Sequence, residues 1–133
     1  MKQRLIAVAA DVASILVFVL LGRSSHDEGT GIGAVVSVAA PFLIGLAAGW
    51  LLAPGPRRRP FAIATGVQVW LTTVGIGVVL RWFAWDRGTA VSFIIVAALF
   101  LGLFLVGWRV VITGATRPRS AVRSSRPPLE AER

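Results

Sequence analysis

Cysteine is absent from the 133-residue chain, and charged residues are scarce at 15% of it. Without cysteine the protein can form no disulfide, no thiolate metal site and no cysteine nucleophile. Histidine occurs once, and no run of residues has the spacing of a known catalytic signature. The sequence therefore predicts a protein that is not an enzyme and that holds no cofactor.

Apolar residues dominate instead, because hydrophobic side chains make up 56% of the chain and the mean hydropathy is +0.77. A soluble domain of this length cannot bury so much apolar surface. The composition therefore predicts an all-α polytopic membrane protein.

The segment 54–60, Pro-Gly-Pro-Arg-Arg-Arg-Pro, divides two long apolar halves. Adjacent arginines do not lie in hydrocarbon and the prolines do not continue a helix, so the segment is predicted as a short loop outside the membrane. Each half contains two apolar runs, which predicts four transmembrane helices as two hairpins, at about residues 5–21, 32–53, 61–81 and 90–112.

The two ends of the chain differ in character. A cleaved signal peptide is an alternative for the first run, but Asp11 interrupts its apolar core.

Residues 1–112, which contain the four predicted spans, are expected to form one transmembrane domain. Residues 113–133 are rich in Arg, Ser and Pro and are predicted to form a disordered basic tail.

Small residues recur along one face of the second predicted helix, as in Gly45-x-x-x-Gly49. Such a stripe lets a neighbouring helix approach closely. Its expected role is packing. Pro41, on the same face, opens a backbone hydrogen bond, which can kink the helix or line a cavity.

Similar residues recur in the two halves at an offset of roughly 58–59 residues. Gly49-Trp50 matches Gly107-Trp108, Arg23 matches Arg81, and Asp27 matches Asp86. A duplicated hairpin would account for the matches, and the repeat would be parallel. Chance similarity in apolar sequence is the alternative.

Lysine and arginine are distributed unequally between the two predicted sides of the membrane. The side that carries both termini has eleven of them, and the opposite side has only Arg23, Arg81 and Arg87. This asymmetry predicts a multi-pass protein of the cell membrane with cytoplasmic N- and C-termini. The expected partners are the lipid bilayer, anionic lipid at the basic tail, and further copies of the chain in a homo-oligomer, but not nucleic acid.

Ionisable residues inside a span are costly, so they face partners or water. Asp11 lies about 10 Å along the first helix, and Arg109 lies at a similar depth near the end of the fourth. A structural ion pair between the two is the favoured interpretation, and a proton- or cation-binding carboxylate is the alternative. Trp70 is grouped with them as a candidate intramembrane polar site, because its N–H needs an acceptor in mid-span.

A second candidate site lies on the opposite face of the membrane. Its members are the charged or ionisable residues at the ends of the first and third helices and in the loops that follow: Arg23, His26, Asp27, Arg81 and Asp86. One histidine beside carboxylates can ligate a metal, but a solvated polar loop is the favoured interpretation.

Several short motifs are spread over residues 5–112: Asp11, Gly22-Arg23-Ser24-Ser25-His26, Pro41-Phe42, Gly66 with Trp70, Gly77 with Arg81, and Gly107-Trp108-Arg109. Together they resemble a family of small four-span prokaryotic membrane proteins, domain of unknown function number three thousand and fifty-four. The resemblance implies a compact four-helix membrane protein and assigns no activity, substrate or cofactor.

Two functions are compatible with the sequence. The first is a non-catalytic membrane scaffold or accessory protein. The second is a small oligomeric transporter or solute-binding protein with Asp11 as its coupling carboxylate, which is similar to the small multidrug resistance transporters. Those proteins have a glutamate at this place and lack a counterpart of Arg109, which puts drug–proton exchange in doubt. The two functions differ in whether water reaches Asp11.

Overall fold

Four long helices and one short helix make up almost all of the described chain. The structure is a computed structural model, and it describes residues 1–24, 31–84 and 91–116. The helices are α1 (Lys2–Ser24), α2 (Ile32–Leu52), α3 (Pro54–Arg58), α4 (Ile63–Ala84) and α5 (Val91–Ala115). No strand occurs in these three ranges, so the all-α prediction is confirmed.

The limits of the four long helices lie within three residues of the predicted ones. Helix α1 is longer at both ends, and α5 continues to Ala115, where the Thr116 N–H donates to the Ile112 carbonyl at 3.0 Å. Residues 113–115 therefore belong to a helix, and the prediction that the tail starts at 113 is wrong. The prediction followed the end of the apolar run, but backbone hydrogen bonds can continue a helix beyond the last apolar residue, as the Thr116 bond shows. The remainder of the predicted tail, residues 117–133, lies outside the described residues.

The segment between the apolar halves is not wholly a loop, because Pro54–Arg58 form the single helical turn α3. Ala53 before it is extended, with φ −89° and ψ 136°, and the Arg59 N–H donates to the Gly55 carbonyl at 2.9 Å. Proline ends a preceding helix but is well suited to a first helical turn, where its missing N–H leaves no bond unmade. The sequence analysis considered only the first of these two effects.

The four long helices form a ring, in which α1 and α4 each lie between α2 and α5. The most extensive contact is between α2 and α4, which belong to different predicted hairpins. A Cβ atom added to Gly45 would lie 2.7 Å from the Thr73 carbonyl oxygen, and one added to Gly49 would clash with the Thr72 hydroxyl. The small-residue stripe therefore allows close helix approach, as predicted.

A cluster of aromatic rings, which we name the phenylalanine cluster, fills the bundle away from Asp11. Its centre is Phe18, whose ring lies edge-on to Phe42 at 5.8 Å and tilted against Phe100 at 5.6 Å. Phe93 completes the cluster, 6.2 Å from both Phe18 and Phe42. The cluster joins α1, α2 and α5 through ring contacts alone.

Large apolar side chains cover the outside of the ring. Leu71 on α4 is 58% exposed, and Leu99 and Leu103 on α5 are 70% and 69% exposed. Four of the helices are long and apolar enough to cross a membrane. Such a surface suits hydrocarbon, so the chain is an integral membrane protein with four membrane-spanning helices.

Candidate functional site

Asp11 lies on the face of α1 that packs against the other helices. The preceding and following turns of this face carry Ala7 and Ile15, which are fully buried, because residues four apart share one side of a helix. Asp11 itself has no exposed surface. The sequence thus places a carboxylate inside the bundle, where it needs partners.

Arg109 of α5 meets this carboxylate with both of its terminal nitrogens. Its Nη1 lies 2.7 Å from Asp11 Oδ1, and its Nη2 lies 2.8 Å from Oδ2. The Arg109 side chain is also fully buried. Paired N–H···O bonds of this kind are among the strongest in proteins. The predicted pairing of Asp11 with Arg109 is confirmed, and it joins the first and last long helices.

Arg109 makes two further hydrogen bonds. Nε donates to the Pro60 carbonyl at 3.0 Å, and Nη1 also donates to the Leu105 carbonyl of its own helix at 2.6 Å. Pro60 lies in the connection between α3 and α4, so one guanidinium contacts three parts of the chain. Its route to Asp11 passes Gly66, where an added Cβ would lie 2.8 Å from Arg109 Cδ.

Two indole groups complete the coordination of the carboxylate. Trp50 Nε1 donates to Asp11 Oδ2 at 3.1 Å, and Trp108 Nε1 donates to Oδ1 at 3.0 Å. The Arg109 guanidinium also lies over the Trp108 ring, 4.3 Å from its centroid, a cation–π arrangement. Asp11 therefore accepts four hydrogen bonds from charged or indole donors. We refer to Asp11, Arg109, Trp50, Trp108 and the Pro60 carbonyl as the Asp11 site.

Neither tryptophan of this site was predicted from the sequence as a partner of Asp11. Indole rings are common near the ends of membrane-spanning helices, so a tryptophan there gives no reason to look for a carboxylate partner. The sequence feature that could have indicated them is the Gly-Trp pair, which occurs twice, about 58 residues apart. The equivalent tryptophans bond to the two oxygens of one carboxylate, as a parallel duplication would allow, although the duplication itself stays a prediction.

Trp70 is not part of the Asp11 site. Its Nε1 donates to the Ala98 carbonyl of α5 at 2.8 Å, and its ring would lie 3.1 Å from a Cβ added to Gly102. The expectation that its N–H needs an acceptor is right, but the grouping with Asp11 and Arg109 is wrong. A backbone carbonyl on the adjacent helix is nearer in depth than the carboxylate and satisfies the indole locally.

The second predicted cluster is described only at Arg81. Its guanidinium lies over the Phe93 ring, 4.5 Å from the centroid, so it covers one side of the phenylalanine cluster. His26, Asp27, Asp86 and the side chain of Arg23 lie outside the described residues. The outer polar cluster stays a prediction. Within the described ranges, no group of three or more metal-ligating side chains occurs.

The Asp11 site is a closed set of hydrogen bonds around two buried charges. Each carboxylate oxygen accepts from one guanidinium nitrogen and one indole nitrogen, and both charged groups are excluded from solvent. Binding another cation would require some of these bonds to break. The geometry therefore suits a structural connection between α1, α2, α5 and the α3–α4 link.

Comparison with known proteins identifies a family for the chain. No curated protein and no solved structure matches the chain. A family model does match, over residues 8–112, and its description is "Protein of unknown function (DUF3054)". The match confirms the resemblance drawn from the sequence, and the chain belongs to this family.

Proposed function

We propose that this protein is a non-catalytic membrane scaffold or accessory protein. The observation that supports the proposal is the state of Asp11, which is fully buried and accepts four hydrogen bonds, two of them from Arg109. A coupling carboxylate in a transporter has to exchange its partner for a proton or solute during each cycle. A carboxylate held by a guanidinium and two indoles instead maintains one helix arrangement.

We place the protein in the cell membrane with both termini in the cytoplasm. Lys2, Arg4 and the exposed arginines 57–59 lie at the same end of the bundle as the Asp11 site, whose members come from the beginning of α1 and the ends of α2 and α5. Basic residues are enriched on the cytoplasmic side of membrane proteins.

Thiol labelling in intact cells tests this orientation. The protein has no cysteine of its own, so single cysteines at Thr89 and at Ser124 give an unambiguous readout. An impermeant maleimide should modify position 89 and leave position 124 unmodified until the membrane is opened. Modification of position 124 in intact cells would reverse the proposed topology.

Carbodiimide labelling tests whether Asp11 exchanges its partner. Dicyclohexylcarbodiimide enters membranes and reacts with protonated carboxyl groups. We expect Asp11 in the native protein to remain unlabelled, because its oxygens are engaged by Arg109 and the indoles. Peptide mapping would separate an adduct on Asp11 from one on the loop or tail carboxylates.

The matched control is Ala13→Glu, which puts a carboxyl on an exposed position of the same helix at a similar depth. This carboxyl faces lipid without a guanidinium and should react. Labelling of Asp11 as fast as Glu at position 13 would contradict the scaffold proposal. So would a proton flux into liposomes that depends on Asp11 and exceeds the leak of protein-free liposomes.

A further inference from the structure

Three consecutive arginines, Arg57, Arg58 and Arg59, are exposed at the end of the bundle that carries the Asp11 site. Arg57 donates from Nη2 to the Leu51 carbonyl at 2.6 Å, at the end of α2. Within the described residues, the guanidinium groups of Arg58 and Arg59 have no hydrogen-bond acceptor or carboxylate partner. Two exposed guanidinium groups with no partner in the described part of the chain therefore belong to consecutive residues.

The backbone beneath these arginines is held in place by buried side chains. The Arg59 carbonyl accepts from the Thr65 hydroxyl at 2.8 Å, and the Pro60 carbonyl accepts from Arg109 Nε at 3.0 Å. Thr65 is 3% exposed and Arg109 is fully buried. The backbone that follows the α3 turn is therefore anchored to the bundle interior by two hydrogen bonds. This anchoring limits the positions that the arginine side chains can take.

A groove lies beside them with one charged wall and one apolar wall. It measures about 230 Å³ and is lined by Leu52, Ala53, Pro54, Arg57 and Arg58. Leu52 is 80% exposed, and Leu51 next to it is 64% exposed. These leucines end the apolar span of α2, so hydrocarbon and headgroup layers meet at this groove.

We propose that this groove is a binding site for the headgroup of an anionic phospholipid. The phosphate would accept hydrogen bonds from Arg58 of the groove lining and from Arg59, the next residue in the chain, and the first part of an acyl chain would lie along Leu52 of the lining and the adjacent Leu51. Arginine suits a phosphate because its N–H groups match the oxygens in pairs. The apolar wall favours a lipid over a free anion. The proposal concerns a different surface from the Asp11 site and does not rest on the scaffold function.

The test compares two variants that remove equal charge. Arg58→Gln with Arg59→Gln removes one guanidinium from the groove lining and one beside it, and it leaves the bond from Arg57 to Leu51 intact. Arg123→Gln with Arg126→Gln removes two charges from the C-terminal region. Both are reconstituted in phosphatidylcholine bilayers with spin-labelled phosphatidylglycerol, and its association relative to spin-labelled phosphatidylcholine is measured by electron paramagnetic resonance.

The groove variant should lose selectivity for phosphatidylglycerol by about fivefold for each arginine, since a surface arginine contributes ~1 kcal/mol to anionic lipid binding. The C-terminal variant should keep most of the selectivity. Equal losses in the two variants would overturn the proposal, because diffuse positive charge would then explain the binding. Arg58→Gln alone, an exposed single change, provides the same comparison if the double variant does not fold.

Inorganic phosphate separates a lipid site from a general anion site. At constant ionic strength, millimolar phosphate should leave the association of phosphatidylglycerol with the native protein unchanged, because a free anion gains nothing from the Leu51 and Leu52 wall. Displacement of the lipid by phosphate at this concentration would contradict the proposal.

Discussion

The Asp11 site and the phenylalanine cluster join largely the same helices, α1, α2 and α5, by different interactions. At the Asp11 site the contacts are directional hydrogen bonds, two from Arg109 and one from each of two tryptophans. In the phenylalanine cluster they are ring contacts between Phe18 and three other phenylalanines at 5.6–6.2 Å. At the Asp11 site, the charge and hydrogen-bond donors of each side chain decide which residues meet. In the phenylalanine cluster, the fit between ring shapes decides it.

This difference has a physical consequence in a membrane. Lipid tails are as apolar as phenylalanine, so burial from water supplies little force between spanning helices, and packing and hydrogen bonds have to supply it. A ring that loses one neighbour can repack or meet lipid. A charge that loses its partner has no such alternative in hydrocarbon. Substitutions at the Asp11 site should therefore destabilise the bundle more than substitutions in the phenylalanine cluster.

Removal of the buried guanidinium should have the largest effect. Arg109→Gln leaves the Asp11 carboxylate buried without its cation and the Pro60 carbonyl without its donor. We expect a loss of ~3–5 kcal/mol in the free energy of unfolding, the range for breaking buried ion pairs. Unfolding by dodecyl sulfate titration from mixed micelles measures it. A loss smaller than that of Phe18→Leu would show that the Asp11 site contributes less to stability than the phenylalanine cluster.

Crowding the path of Arg109 should have the next largest effect. Gly66→Ala brings a methyl group to 2.8 Å from Arg109 Cδ and 3.2 Å from the Leu105 carbonyl oxygen. The ion pair holds Arg109, and Arg109 Nη1 donates to that carbonyl. The expected cost in the same titration is ~1–3 kcal/mol, as for other overpacked interiors. Gly75→Ala is the matched control on the same helix, because nothing lies within 4 Å of its added Cβ. Equal losses at both positions would indicate that Arg109 moves freely.

Removal of one indole donor should have a smaller effect, because the guanidinium still holds the carboxylate. Trp50→Phe and Trp108→Phe each delete one bond to Asp11, for an expected loss of ~1–2 kcal/mol. Trp82→Phe is the control, since Trp82 is 70% exposed and should change stability by less than about 0.5 kcal/mol. If the three variants lose equal stability, the indole bonds to Asp11 contribute nothing specific.

The smallest effect is expected in the phenylalanine cluster. Phe18→Leu keeps an apolar side chain of similar volume and removes its ring contacts, so the loss should be about 1 kcal/mol. Phe83→Leu serves as the control, because Phe83 is 83% exposed. A loss at Phe18 as large as that of Arg109→Gln would show that ring packing dominates the bundle.

Features that depend on residue type and spacing could be predicted from the sequence. Asp11 and Arg109 stood out because charges are rare in apolar runs, and their similar depth predicted their contact. The four spans followed from run length, and Gly45 and Gly49 predicted that a helix packs closely against α2, without identifying it as α4. These features depend on composition and period, which a sequence displays directly.

The remaining features depend on which neighbour each side chain meets. An indole N–H can bond to water, a carbonyl or a carboxylate, and only the packing decides that Trp50 and Trp108 meet Asp11 while Trp70 meets the Ala98 carbonyl. The α3 turn was missed for a similar reason, since Pro54 both ends α2 and begins a new helical turn. The spacing of apolar residues indicates neither the acceptor of each indole nor the helical turn that begins at Pro54.

A double-mutant cycle on the buried pair tests the structural role of Asp11 most directly. Asp11→Asn, Arg109→Gln and the double variant are compared with the native protein by dodecyl sulfate titration. If the pair is structural, each single variant loses stability, and the double variant loses much less than the two single losses added together, because it leaves no buried charge without a partner. Single variants as stable as the native protein, or a double variant that loses the full sum, would contradict the pairing as the reason for a carboxylate in this helix.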